Sequence, residues 1–240
     1  PNEIVITLRT PLSKNIVPIE DVKERWKLDT VILDPGHGGK DGGAMSRYGT
    51  KEKDIVLDIS KRIGRLLETN TNIKVHYTRE EDVFIPLKDR TKFANDNNGK
   101  IFLSIHANAH NNRTIHGFET YLLSPGKSED AVALAARENA VIQFEEKNDN
   151  YNNLTGEGLI MATMAQSMFM KESEDLASMI QMEMSKRLTS KNRGVKQAGF
   201  YVLIGASMPC VLIEVGFLSN AKEEKSLKKA THRQRVAQSI

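Results

Sequence analysis

Short apolar runs alternate with helical patterns over most of this chain, and this alternation constrains its fold more than any other feature. Residues 30–33 and 101–105 are largely apolar and short, which is typical of buried strands. Between them, the apolar residues of segment 54–68 recur at helical spacing. We therefore predict an α/β domain with a largely parallel sheet, helices on both faces, and ligands bound at the carboxyl ends of the strands.

The other predicted elements follow from the same patterns. We predict strands at residues 73–77, 117–123, 199–204 and 210–215, and helices at residues 87–95, 128–147, 159–188 and after residue 221. The polar segment 148–158 is expected to link two of these helices. Residues 1–28 show no clear period, so we expect an N-terminal arm there and one domain over residues 29–240.

The charge and apolar content exclude some classes of partner. The chain has 34 Lys and Arg residues against 31 Asp and Glu residues, a formal net charge of +3, so we expect no nucleic-acid partner. The mixed charges of residues 222–235 are typical of a solvated helix face. No stretch is long and apolar enough for a transmembrane span. No signal peptide is visible, but the chain starts at Pro1 rather than Met. An export signal could therefore have been removed.

Four side chains suited to metal chemistry stand at the ends of predicted elements. His37 and His106 each follow a strand, Glu52 precedes the helix that starts near residue 54, and Glu214 ends the strand that starts at residue 210. Each of them alone is more often an ordinary surface or core residue. Together, two histidines and one carboxylate with an open fourth position form a known catalytic zinc arrangement. A second carboxylate could act as base on zinc-bound water, so Glu52 and Glu214 could divide the roles of ligand and base.

The glycine-rich turn at residues 36–43 does not match a nucleotide-binding motif. Asp41 follows Gly39-Lys40 where a phosphate loop needs Ser or Thr, and it also occupies the last glycine position of the dinucleotide pattern. A turn that lets the backbone approach a metal explains the glycines as well. The His-Glu-x-x-His helix of common metallopeptidases is absent from the sequence.

Longer motifs surround the candidate metal-site residues. They are Asp34-Pro35-Gly36-His37-Gly38-Gly39, Ser104-Ile105-His106-Ala107-Asn108 and Ile213-Glu214-Val215-Gly216-Phe217-Leu218-Ser219-Asn220. With these ordered motifs, the chain from about residue 30 to its end resembles the zinc-dependent N-acetylmuramoyl-L-alanine amidases.

This resemblance implies a fold, a reaction and a location. The fold would be a twisted six-stranded sheet flanked by helices. The reaction would cleave, in peptidoglycan, the amide between the lactyl group of N-acetylmuramic acid and L-alanine of the stem peptide. One zinc ion would be held by His37, Glu52 and His106, with Glu214 as the catalytic carboxylate. Residues 29–240 would form the amidase domain, exported to the periplasm or cell envelope where the substrate lies.

Segment 124–172 departs from the shortest members of that family. Members used in daughter-cell separation resemble this chain, with an inserted helix that covers the zinc until a protein activator moves it. Leu134, Glu138, Val141 and Glu145 would share one face of the predicted helix. A carboxylate in an apolar stripe is costly unless it meets a cation. Glu138 therefore either fills the open zinc position as an inhibitory ligand, or pairs with an arginine or lies at the rim of the stripe.

Three further residues have two interpretations each. Asn108 could donate a hydrogen bond to substrate or could stabilise a turn. Arg79 could be a secondary group of the site, but we expect it to be a structural ion-pair partner of Asp82. Cys210, the only cysteine, lies in an apolar run and is expected to be a small buried hydrophobe rather than a nucleophile.

Two alternative functions remain open from the sequence. One is another zinc amide hydrolase, such as a carboxypeptidase, on a similar sheet. The other is a non-catalytic wall-binding protein, which the presence of all four metal-site residues disfavours. The sequence predicts no oligomeric state.

Overall fold

A computed structural model describes residues 27–126, 128–145, 160, 164 and 167–240 of the chain. The predicted arm at residues 1–28 lies outside the described residues except for its last two positions. The predicted linker at residues 148–158 lies entirely outside them.

Six strands form one mixed sheet at the centre of the described residues. They are β1 (Thr30–Pro35), β2 (Lys74–Tyr77), β3 (Ile101–Asn108), β4 (Phe118–Leu123), β5 (Asn192–Ala198) and β6 (Cys210–Phe217). Their order is β2-β1-β3-β6-β4-β5. Every neighbouring pair is parallel except β4 and β6, which are antiparallel. The predicted largely parallel, six-stranded sheet is confirmed.

Helices cover both faces of this sheet, as predicted. They are α1 (Glu52–Asn70), α2 (Leu87–Asp96), α3 (Glu129–Asn139), α4 (Met170–Arg187), α5 (Ala221–Leu227) and α6 (Ala230–Ala237). Buried residues of α1, α4, α5 and α6 form one apolar cluster with one face of the sheet, here called the α1 cluster and the α1 face. Those of α2 and α3 form a second cluster with the other face, called the α3 cluster and the α3 face.

The alternation of side chains along the central strands decides which face carries polar groups. In β3, Leu103 and Ile105 belong to the α1 cluster, whereas Phe102 belongs to the α3 cluster. Because side chains alternate along a strand, His106 falls on the α3 face. In β6, Leu212 belongs to the α3 cluster, so Glu214 falls on that face as well. The two polar side chains at the carboxyl ends of β3 and β6 therefore share one side of the sheet.

The strand predicted at residues 199–204 is wrong. The structure has a short 3₁₀ helix there, Tyr201–Leu203, and the edge strand β5 precedes it. The sequence of β5, NRGVKQA, is mostly polar and half-exposed, so it lacks the apolar run that marks the central strands. The apolar residues Val202 and Leu203 are buried for a different reason, because they pack into the α3 cluster.

The predicted helices also differ in extent from the observed ones. The helix predicted at residues 128–147 begins as α3, where the Ser128 side chain accepts from the Ala131 amide, and continues as a 3₁₀ helix over Ala140–Phe144. The helix predicted at residues 159–188 is described from the 3₁₀ turn Ser167–Phe169 through α4. The last helix is divided into α5 and α6. Across the described ranges, no helix combines the length and apolarity needed to cross a membrane.

Candidate metal centre

Four side chains from four different elements converge on the α3 side of the sheet. They are His37 from the turn after β1, Glu52 from the first position of α1, His106 from β3 and Glu138 from α3. One ligand atom from each lies within 4.8 Å of all the others, and all four side chains are buried. The structure thus brings together the three sequence-predicted ligands and the predicted inhibitory residue.

Glycines in the turn after β1 allow this convergence. A Cβ atom on Gly36 would lie 2.5 Å from the His106 ring, and one on Gly43 would lie 2.5 Å from the His37 ring and 2.7 Å from a Glu52 oxygen. Real Cβ contacts are essentially never that short, so side chains at these positions would push the ligands apart. Gly43 also has a φ of 65°, in the left-handed region that favours glycine.

The distances between the converging atoms fit a bound cation. His37 Nε2 lies 3.1 Å from a Glu52 oxygen and 3.2 Å from Glu138 Oε2. His106 Nδ1 lies 3.0 Å from Glu52 and 3.4 Å from Glu138. Ligands about 2.0–2.1 Å from a zinc ion in a tetrahedron lie about 3.3 Å from each other. His37 Nε2 and Glu138 Oε2 are buried and form no hydrogen bond with the described residues, so the donor set fits a shared metal ion.

Hydrogen bonds from neighbouring groups fix the orientation of two ligands. Asp41 Oδ2 lies 2.7 Å from His37 Nδ1, which leaves the other ring nitrogen directed at the centre. The two oxygens of Glu52 accept from the backbone amides of Ala44 at 2.8 Å and Ala107 at 2.8 Å. Glu52 is therefore held by the turn after β1 and by β3 at once.

The electrostatics of the centre favour positive charge. Burial alone would lower the pKa of His106, but Glu138 and Glu52 raise this pKa to about 9. Burial would likewise raise the pKa of Glu52, yet His37 and His106 lower this pKa to about 2. The carboxylates are thus negative near neutral pH and stabilise either protons on the imidazoles or a metal cation in their place.

Glu214 lies next to this group without belonging to it. It is fully buried on β6, opposite His106 in the strand register and opposite Glu119 on β4. Both of its side-chain oxygens lack a hydrogen-bond partner among the described residues. Burial, together with the nearby Glu52 and Glu138 carboxylates, raises the pKa of Glu214 well above its ordinary value, although His106 and Arg137 oppose this shift. A buried, unpaired carboxyl group with a raised pKa is suited to accepting and returning a proton.

The predicted Arg79–Asp82 ion pair is wrong. Arg79 is buried and donates to the backbone carbonyls of Pro35 at 3.0 Å, Gly36 at 2.7 Å and Lys53 at 2.9 Å. Asp82 instead pairs with the Lys53 ammonium at 2.7 Å. Arg79 therefore ties the backbone before His37 to the start of α1, next to Glu52. The sequence spacing of an arginine and an aspartate carries no signal of that arrangement.

A second buried arginine supports the same turn, and the sequence reasoning assigned it no role. Arg90 on α2 pairs with Asp34 at 2.8 Å and donates to the His37 carbonyl at 2.9 Å. Asp34 also accepts from Thr78 and Ser104. Burial would raise the pKa of Asp34, but Arg90 and these hydroxyls lower this pKa below its ordinary value. In the sequence, the one sign of this network is Asp34, which directly follows an apolar run.

The remaining candidate residues take internal partners. Asn108 donates to Glu119 at 2.9 Å and accepts from Arg137 at 3.0 Å, so its buried side chain links β4 to α3. Cys210 is buried, and burial raises the pKa of its thiol to about 12, as expected for a small hydrophobe and not for a nucleophile.

Helix α3 closes the centre from the solvent side. Glu138 reaches the histidines from α3, while its other oxygen lies 3.2 Å from Arg137. The cavity beside His37, His106 and Glu138 measures only about 10 Å³. That is about the minimum volume for a single water molecule, so the covered centre has no room for a peptide.

Comparisons with known proteins agree with this fold and centre. The family model described as N-acetylmuramoyl-L-alanine amidase matches residues 31–240. The N-acetylmuramoyl-L-alanine amidase AmiC of Escherichia coli O6:H1 is 38% identical over 215 residues, which cover 88% of this chain and 50% of AmiC. The chain thus spans about half the length of that curated relative.

Two solved structures are similar to the chain over nearly all of their own length. The N-acetylmuramoyl-L-alanine amidase from Clostridium difficile 630 is 29% identical with a TM-score of 0.66, and the match covers 88% of this chain and 92% of that one. The CwlD amidase from Clostridioides difficile, solved in complex with the GerS lipoprotein, is 29% identical with a TM-score of 0.65, and that match covers 88% and 93% of the two chains. By its fold and by the family match over residues 31–240, this chain belongs to the N-acetylmuramoyl-L-alanine amidase family.

Proposed function

We propose that this chain is a zinc-dependent peptidoglycan hydrolase that cleaves the amide between N-acetylmuramic acid and L-alanine of the stem peptide. The observation that carries the proposal is the convergence of His37, Glu52 and His106 beside the unpaired carboxyl group of Glu214 in a member of this family. A role in cell separation or wall remodelling, and a location in the periplasm or cell envelope, belong to the same proposal.

In this proposal His37, Glu52 and His106 would hold one zinc ion. Bound there, zinc would lower the pKa of water and polarise the amide carbonyl. Glu214 takes a proton from the attacking water and passes it to the leaving nitrogen as the C–N bond breaks. The products are a free lactyl carboxylate on the sugar and a peptide with a free N-terminal alanine.

The burial of Glu214 suits this role. Burial raises the pKa of Glu214 well above its ordinary value, which makes its carboxylate a stronger base than an exposed glutamate. Arg79 and Arg90 do not touch the converging ligand atoms. They position the backbone on which His37 is mounted through the carbonyls of Gly36 and His37.

We propose further that segment 124–172 is an inhibitory insertion and that Glu138 supplies the fourth zinc ligand in the resting protein. Two observations support this. One Glu138 oxygen lies between the two histidines, and the adjoining cavity is too small for substrate. The other Glu138 oxygen contacts Arg137, so a pair with an arginine is compatible with this role.

A protein activator would then have to move α3. The CwlD amidase was solved in complex with the GerS lipoprotein, which is a precedent for a protein partner in a structure similar to this one. By this analogy we propose that a partner binds the insertion and withdraws Glu138 from the histidines.

Digestion of purified peptidoglycan with the zinc-loaded protein tests the proposed function. We expect new N-terminal alanine on released peptides and intact glycan strands. Release of single amino acids would point to a carboxypeptidase instead. Binding to the wall without any new termini, in the Glu138→Ala protein as well, would show a non-catalytic wall-binding protein.

A further inference from the structure

A second cavity, of about 250 Å³, is lined by Glu119, the residue opposite Glu214 in the β4–β6 register. We call it the basic cavity; the lining residues that the argument uses are Asn108, Glu119, Arg137, Arg193, Lys196 and Phe217, and α3 also contributes the acidic Asp130. Of the first six, helix α3 supplies Arg137, and the other five residues belong to strands of the sheet. The helix that covers the metal-binding group therefore also forms a wall of the basic cavity.

One buried carboxylate in this cavity meets two cations. Glu119 Oε2 accepts from Arg193 Nε at 2.9 Å and also from the Lys196 ammonium. Glu119 Oε1 accepts from Asn108 at 2.9 Å and from the Tyr121 hydroxyl at 2.9 Å. Because the single Glu119 carboxylate pairs with both Arg193 and Lys196, one unit of positive charge remains on the sheet side of the cavity. The helix side adds one cation, Arg137, and one carboxylate, Asp130.

The Arg193 side chain is held in place with donors to spare. Its guanidinium lies over the Phe217 ring, 5.4 Å from the centroid. A Cβ atom on Gly117 would lie 2.9 Å from Arg193 Cγ, so a glycine at this position leaves room for the Arg193 side chain. The two terminal nitrogens of Arg193 have no hydrogen-bond partner among the side chains and backbone that the structure describes. A fixed guanidinium with free donors is the usual means of binding a carboxylate in two-pronged geometry.

The distance from the reacting groups suits a peptide. Glu119 lies opposite Glu214 in the β4–β6 register, and Glu214 lies opposite His106 in the β3–β6 register. Neighbouring strands are about 4.8 Å apart, so the basic cavity begins about one strand spacing beyond Glu214. One extended residue spans about 3.5 Å, so a carboxylate there would belong to a residue one or two positions from the cleaved amide.

We propose that Arg193 and Lys196, oriented by Glu119, form a subsite for a carboxylate of the stem peptide on the leaving side of the cleaved amide. The subsite rests on the proposed function, because the position of the amide is taken from it. The ligand class is an acidic peptide, bound through its carboxylate by the terminal nitrogens of Arg193, with Lys196 adding charge. Helix α3 forms one wall of the subsite, so its displacement would open the subsite further.

Calorimetric titration of the zinc-loaded protein tests the subsite directly. The probes are the dipeptide L-alanyl-D-glutamate and its carboxamide counterpart, titrated into the wild-type protein and into the Glu138→Ala protein. We expect the acid to bind about tenfold more tightly than the carboxamide, as for the loss of a charge-assisted hydrogen bond. Equal binding of acid and carboxamide, or no binding of either by both proteins, overturns the subsite.

Variants assign the preference to these cations. Arg193→Met should remove most of the preference for the acid, and Arg193→Lys should restore part of it. Arg65→Met is the matched control, since Arg65 is an exposed arginine of α1 that does not line the cavity, and it should retain the full preference. A preference that survives in Arg193→Met overturns the assignment.

The binding measurement and the wall digestion separate two kinds of failure. Acid-selective binding without amidase products would support the subsite and contradict the proposed function. Amidase products together with equal binding of acid and carboxamide would support the function and contradict the subsite.

Discussion

The metal centre has two sides that are built differently. On the sheet side, Glu52 is held by two backbone amides, and His37 is held by Asp41 and by the turn that Arg79 and Arg90 support. On the cover side, Glu138 comes from α3, an 11-residue helix whose Arg137 side chain is 40% exposed. The difference teaches that three of the candidate ligands are held by the sheet and its turns, whereas the fourth belongs to a separate helix, which we propose to move.

The comparison predicts losses from substitutions on the sheet side and a gain in activity from a substitution on the cover side. The largest expected effect is the loss of activity at Glu214. Glu214→Gln removes the only proton acceptor that we propose for the attacking water, so activity on peptidoglycan should fall by about 10³-fold. Zinc content, measured by elemental analysis, should not change because Glu214 is outside the ligand group. Turnover equal to that of the wild type would remove Glu214 from the mechanism.

The support behind the sheet side gives the next largest effect. Asp34→Asn leaves the buried Arg90 charge without its carboxylate, which should lower the free energy of unfolding by about 3 kcal/mol. Denaturant titration measures this change. Asp96→Asn is the control, because the Asp96–Lys92 pair on α2 is exposed and its loss should change stability little.

The difference in free energy of unfolding between the wild type and Asp34→Asn should depend on pH in a definite direction. The pKa of Asp34 is lower in the folded protein than in the unfolded chain, so its contribution is full above the ordinary value of 3.8 and is lost as the pH falls through the folded value. The wild type and Asp34→Asn should therefore converge in stability only at acid pH, below about 4. A constant difference down to the acid limit would contradict the role of the Asp34 carboxylate.

The orienting bond on His37 should have a smaller effect, on metal affinity. Asp41→Asn weakens the support of His37 Nδ1, and such changes cost about 10- to 100-fold in metal affinity. Competition with a chromophoric chelator measures the zinc dissociation constant. An unchanged constant would show that the turn alone orients the ring.

The cover side should respond in the opposite direction. Glu138→Ala removes the contact of α3 with both histidines, and basal activity should rise about tenfold if the covered state is favoured by about 1.4 kcal/mol. Glu129→Ala is the matched control, since Glu129 is an exposed glutamate of the same helix. Equal or lower activity in a folded Glu138→Ala protein would break the comparison.

Whether an element or a residue's role could be predicted from the sequence depends on where it lies in the fold. The central strands β1, β3 and β6 are apolar because they are buried on both faces, so their runs mark both the sheet and the positions where His37, His106 and Glu214 follow. Strand β5 is a half-exposed edge and carries no such run. Arg79 donates to backbone carbonyls distant in sequence, and Arg90 donates to the His37 carbonyl as well as to Asp34. No side-chain pattern encodes the contacts with the carbonyls.

The ligand set of the resting protein is the most direct measurement. The crystal structure of the zinc-loaded protein, with anomalous diffraction at the zinc edge, locates the metal without reference to activity. The account predicts one zinc ion bound by His37, Glu52, His106 and Glu138, with Glu214 nearby but not bound. A zinc ion bound elsewhere, or an ion at this centre with Glu138 turned away and α3 still in place, would contradict it.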